Sequence, residues 1–168
     1  MMILRMPSMH IISSMAAIKK HRGIFSVLFV AYLVLLFYFL FFSEGFGRMQ
    51  GANEYHYNLV LFREIRRFTK YRHIVGNRAF LLNVFGNLIA FMPLGFFIPA
   101  LSRKSKNGFA VVLNCFLVSL LVEVIQLVFK LGCFDVDDLL LNTLGGLLGY
   151  MIYWICDKIT DRTSRQKG

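Results

Sequence analysis

The sequence predicts an all-α integral membrane protein: a four-transmembrane-helix bundle with a short interfacial helix in its first external loop. Three observations carry that reading. The 168-residue chain is 57% hydrophobic, with a mean hydropathy of +0.61, too apolar for an ordinary soluble domain. Its apolar residues gather in four runs, 24–42, 79–101, 108–129 and 139–156, each near the ~20 residues that cross a bilayer as a helix. The lysines and arginines that give a net charge of +10 sit in the loops and termini. That distribution points to membrane topology and lipid contact rather than to nucleic acid, for which no recognition motif is present.

The basic N-terminal segment, 1–23, precedes an uncharged run that is too long for a signal-peptide core, so 24–42 is expected to stay as a signal anchor. The transmembrane domain is expected to span 24–156, with a basic tail at 157–168. The larger share of the 19 cations lies in the N-terminus, in Ser102–Asn107 and in the tail. Both termini are therefore expected in the cytoplasm, with the protein multi-pass in the cell membrane. In the loop 43–78, Arg63, Arg66, Arg67 and Lys70 recur at helical spacing beside Phe62, Ile65, Phe68 and Tyr71. This pattern suits a helix lying in the interface with its cations among anionic head groups; the same stripe could instead contact an anionic envelope ligand.

The second run, LLNVFGNLIAFMPLGFFIP, carries Asn83 and Asn87 on one helix face and Gly86 where a neighbour can approach. Pro93 and Pro99 are expected to kink or end this span. The third run carries Asn114, Ser119, Glu123 and Gln126. The fourth carries Asn142, Gly145, Gly146 and Gly149, with Gly145 and Gly149 forming a GxxxG packing surface. The three cysteines, Cys115, Cys133 and Cys156, have no spacing that suggests a zinc site, a redox pair or a structural disulfide.

An ionisable group at mid-helix costs about 2.5–3.5 kcal/mol even on lenient insertion scales, so Glu123 needs partners. Counting ~1.5 Å per residue from the helix ends places Asn83, Gln126 and Asp138 in an upper polar layer. Asn87, Glu123 and Asn142 fall in a lower one. The shared depth predicts one site in the outer half of spans two to four. Asp135 reads equally as a helix cap or as part of that site. Glu123 reads as an interhelical hydrogen-bonding group, as a partner of Arg78, or as a functional carboxylate. Asp137 and Asp138 suit the start of the fourth helix, where the dipole favours negative charge.

The pattern Asn83-x-x-Gly86-Asn87-x-x-x-Phe91-x-Pro93-x-Gly95, then Glu123-x-x-Gln126, then Asp135-x-Asp137-Asp138-x-x-x-Asn142-x-x-Gly145-Gly146, resembles the VanZ family of membrane proteins. The resemblance runs from about Asn58 to Tyr150. It includes the loop stretch Asn58-Leu59-Val60-Leu61-Phe62, where many members have proline in place of Leu61. It implies a link to low-level resistance against glycopeptide antibiotics, chiefly teicoplanin.

The first expected function is thus a non-catalytic envelope protein. Asn83, Asn87, Glu123, Gln126, Asp135, Asp138 and Asn142 would line an outward-facing polar site for a lipoglycopeptide antibiotic or an envelope precursor. No cofactor and no metal are expected. Membrane lipids are the expected partners, with self-association through Gly145 and Gly149 as an option. The alternatives are a membrane-embedded enzyme, with Asp135, Asp137 and Asp138 holding a hard metal and Glu123 as general base, and a small transporter using Glu123 as a proton site.

Overall fold

A computed structural model describes residues 22–42, 55–63, 66, 70, 77–102 and 107–165. Helix α1 is Arg22–Phe42, strand β1 His56–Asn58, helix α2 Asn77–Leu101, helix α3 Gly108–Val128, strand β2 Cys133–Asp135 and helix α4 Val136–Arg165. All four helices are long and apolar enough to cross a membrane. Each corresponds to one of the four apolar runs. The last is longer than its run: α4 begins directly after β2 and continues past Cys156 to Arg165.

Each helix sorts its side chains into a packed face and a lipid face. On α3, Val111, Cys115, Ser119, Val122 and Glu123 are buried, while Leu113, Leu117, Leu121, Val124 and Val128 are exposed. The two sets are the two sides of a helix with 3.6 residues per turn. The exposed set is apolar because its solvent is hydrocarbon. Helix α1 packs least, through Leu36 and Phe41, and presents Val27, Val30, Val34 and Tyr38 outward.

The most extensive helix pair is α2 with α4, followed by α3 with α4. Glycines set this contact. A Cβ on Gly95 would collide with the Gly146 carbonyl, one on Gly145 with the backbone of Leu88, and one on Gly149 with the Met92 carbonyl. Gly146 also lies against the Cys115 side chain, so α2, α3 and α4 meet there. The GxxxG surface is therefore filled by α2 of the same chain. Self-association through that face would have to displace α2. Gly86 is half-buried; the close approach on α2 is made by Gly95.

Helix α2 continues through both Pro93 and Pro99 to Leu101, so neither proline ends the span. A proline opens the hydrogen-bond ladder of the preceding turn. The Tyr32 hydroxyl of α1 donates to the carbonyl of Ala90 in that turn. At the far end, the Arg22 guanidinium donates to the Leu101 carbonyl and Ser102 N–H to the Ile98 carbonyl at 3.0 Å. These bonds hold α1 against the turn before Pro93 and cap the C-terminal carbonyls of α2.

Helix α3 starts on Asn107, whose side chain accepts from Phe109 N–H at 3.0 Å, an N-cap. It ends with Leu131 N–H donating to Gln126 O at 2.8 Å and Lys130 N–H to Leu127 O at 3.2 Å, with Lys130 at φ 53°. This is a Schellman motif with lysine in the left-handed position usually held by glycine.

The chain also contains a two-stranded parallel sheet that the sequence reading did not include. β1 pairs with β2 in the register His56 with Cys133, Tyr57 with Phe134 and Asn58 with Asp135. In the loop between α1 and α2, Arg63, Arg66 and Lys70 are helical and exposed, and Arg66 N–H donates to Phe62 O at 2.9 Å. Arg67 lies outside the described residues.

Candidate functional site

The short sheet places Asn58 opposite Asp135 at the point where β2 becomes α4. Asp135 caps α4: its Oδ1 accepts from Asp137 N–H at 2.8 Å, satisfying one of the donors a helix start leaves open. The same oxygen accepts from Asn58 Nδ2 at 3.1 Å. Asn58 Oδ1 in turn accepts from Val60 N–H at 3.2 Å. One residue further into α4, Asp137 Oδ1 accepts from Phe62 N–H at 2.5 Å. Phe62 has φ 63°, a left-handed conformation uncommon for a non-glycine residue. The segment Asn58–Phe62 is therefore fastened to the N-terminus of α4 through Asn58 and Phe62. Asp135 acts both as cap and as part of the cluster, so the two readings of it are compatible.

Below this knot lies Glu123 on α3, only 2% exposed. Its Oε2 accepts from the backbone N–H of Asp135 at 2.9 Å, and the carboxyl groups of Asp138 and Asp135 are within electrostatic reach. The interhelical hydrogen bond expected for Glu123 thus goes to backbone at the head of α4. The Arg78 side chain lies outside the described residues. Asp138 Oδ1 accepts from Asn87 Nδ2 of α2 at 2.7 Å. One turn deeper, Asn142 Nδ2 donates to Ser119 Oγ of α3 at 2.9 Å. Asn142 is 1% exposed and Ser119 fully buried.

The two layers counted from the helix ends are rearranged. Asn87 pairs with Asp138 across the expected layer boundary, Asn142 pairs with Ser119, and Glu123 bonds the chain at Asp135. Counting from each helix end misses the offset created when β2 carries the start of α4 down beside Glu123. Gln126 turns away: its Nε2 donates to Leu40 O of α1 at 2.8 Å. It ties the C-terminal end of α1 to the bundle. Asn83 is half-buried one turn from Asn87. Asn114 is exposed and donates to its own helix at Ala110 O, 2.7 Å away.

Ser119 was available as a candidate because it lies four residues before Glu123 on the same face. Asn58 had no such signal beyond its place in the loop motif. Among the described residues, no three histidine, cysteine, aspartate or glutamate side chains gather where they could hold a metal ion. The arrangement offers hydrogen-bond acceptors and carboxylates at one end of the bundle, beneath a fastened loop.

Four apolar helices packed around this cluster define a multi-pass membrane protein. Residues 29–157 match the VanZ/LLP1 family, and the chain belongs to it. It is 28% identical over 135 residues to Protein VanZ of Enterococcus faecium, covering 78% of this chain and 74% of that relative. No solved structure matches the chain closely enough to carry a comparison.

Proposed function

We propose that the protein lowers the susceptibility of its host to glycopeptide antibiotics, teicoplanin among them, or maintains the envelope by engaging a related amphiphile. The engaging site is the polar cluster of Asn87, Glu123, Asp138 and Asn142, opening toward the outside of the cell. Membership in the VanZ/LLP1 family supports the class of role. The observation that carries the site is the burial of Glu123 at 2% exposure under a loop held by Asn58 and Phe62. A carboxylate in a membrane-spanning helix is costly, and such residues face the bundle interior where they serve function. The basic stripe of Arg63, Arg66, Arg67 and Lys70 would stand at the entrance, where its cations meet anionic groups.

The test is antibiotic tolerance in a susceptible host expressing the chain. Glu123→Gln, Asp138→Asn and Asn87→Ala should each reduce teicoplanin tolerance at unchanged protein level in the membrane. Full tolerance in all three would overturn the assignment of the site.

A further inference from the structure

The polar seam between α3 and α4 contains an acceptor without a donor. Asn142 is 1% exposed. Its Nδ2 reaches Ser119 Oγ, yet its Oδ1 is buried with no hydrogen-bond partner. Turning the amide over would give Oδ1 the serine and orphan the amide nitrogen instead, so one polar atom stays unmet in either orientation. Leaving a buried group unmet carries its full desolvation penalty, and native proteins do so rarely.

The position of this atom is specific. Ser119 lies one turn below Glu123 on the same face of α3, and Asn142 one turn below Asp138 on the same face of α4. The Asn142 amide, aimed at Ser119, therefore sits in the seam directly beneath the Glu123 and Asp138 carboxyl groups. Glu123 accepts one hydrogen bond, from Asp135 N–H, and among the described residues no cation pairs with it. The orphaned oxygen calls for a donor and the carboxylate for a donor or a positive charge, and one group can supply both. An organic ammonium has three N–H donors and a positive charge. It can serve Asn142 Oδ1 and the Glu123 carboxylate together, without needing the tight ligand shell that a metal requires.

The carrier is set by the surroundings. The seam lies within membrane-spanning helices, and Leu59, Val60, Leu61 and Phe62 are exposed above it, on the loop fastened to Asp137. We infer that the seam between Ser119–Glu123 and Asp138–Asn142 receives the primary ammonium group of an acyl-tailed amphiphile. The amphiphile is an amino-phospholipid or an amine-bearing lipopeptide. The inference rests on the proposed site and adds the chemistry of what enters it.

The experiment uses the full chain in phosphatidylglycerol nanodiscs, titrated with n-dodecylamine or n-dodecanol and followed by its thermal unfolding midpoint. Dodecylamine should stabilise the protein and dodecanol should not. Glu123→Gln and Asn142→Leu should each weaken the amine response at least tenfold. Asn142→Leu, which removes the orphaned Oδ1 together with the bond from Nδ2 to Ser119, should melt no lower than the native chain when unliganded, the opposite of what loss of a purely structural amide would give. Equal responses to amine and alcohol, an amine response unchanged in Glu123→Gln, or stabilisation by sodium ions alone would each overturn the inference. Adding phosphatidylethanolamine or its N-acetyl derivative distinguishes the sources: competition by the former alone marks the amino-phospholipid, and competition by neither marks the lipopeptide. Loss of amine binding preference with teicoplanin tolerance still dependent on Glu123 would refute this inference and leave the proposed function standing. The reverse pattern would refute the function alone.

Discussion

Asp135 Oδ1 serves two donors, Asp137 N–H and Asn58 Nδ2, while its own N–H goes to Glu123. One residue thus joins the loop, the head of α4 and the buried carboxylate. Asn58 is 4% exposed, and its replacement by leucine removes a donor to Asp135 and an acceptor for Val60 N–H. Breaking buried hydrogen bonds that leave partners unmet costs about 1–3 kcal/mol. Asn58→Leu should therefore lower the thermal unfolding midpoint in detergent and make the loop after β1 more sensitive to protease, with the four helices retained by circular dichroism. Little of this was legible in the sequence. Glu123 and Asp138 announce themselves as charges beside apolar runs, but Asn58 is one more polar residue in a polar loop.

At the level of elements, the glycines of α4 and Gly95 of α2 let two backbones touch, and van der Waals packing of that kind replaces the hydrophobic drive absent in lipid. Gly149→Val should separate α2 from α4, because its Cβ would meet the Met92 carbonyl and the Phe96 backbone nitrogen, neither of which can step aside. Gly23→Ala, with nothing within 4 Å, is the control. Size-exclusion profiles and melting in detergent should show the first variant destabilised and the second unchanged. The C-terminus of α3 offers the opposite experiment. Lys130 occupies a left-handed conformation at φ 53°, which costs a residue with a Cβ about 1–2 kcal/mol. Lys130→Gly should raise the melting midpoint, offset in part by loss of the contact between Lys130 Nζ and the Tyr55 ring at 4.9 Å. The four spans were readable in the sequence because long apolar runs leave few alternatives. The three-residue strands were not, since strands that short are fixed by tertiary pairing rather than by local preference.

For the whole molecule, we propose that both termini face the cytoplasm, on the excess of lysine and arginine around the termini and the α2–α3 connector. Cys133 gives a direct check. It is exposed in β2, whereas Cys115 is buried and Cys156 half-buried. In intact cells, a membrane-impermeant maleimide should label Cys133 and leave Cys133→Ser chains unlabelled. A reporter fused to the C-terminus should stay active in the cytoplasm. Lys158 Nζ lies 3.8 Å from the centre of the Trp154 ring, a pairing suited to the opposite membrane interface. Helix counting put Asn83, Gln126 and Asp138 in one layer and Asn87, Glu123 and Asn142 in another, and Gln126 turns instead to Leu40 of α1. Counting could not give their pairing, because the register between helices is set by the sheet and by glycine contacts that it does not contain.

The partnership of His56–Asn58 with Cys133–Asp135 joins the loop after the first span to a segment synthesised much later. A ribosome delivers the chain N-terminus first, so β1 waits through the insertion of two further helices before its mate emerges. Until then Glu123 has no Asp135 amide to receive. The head-end closure consequently cannot form before the third span is complete and Cys133–Asp135 has been made. A chain truncated before Cys133 should be left with an untethered loop and an uncovered acid, a form that membrane quality-control proteases would clear.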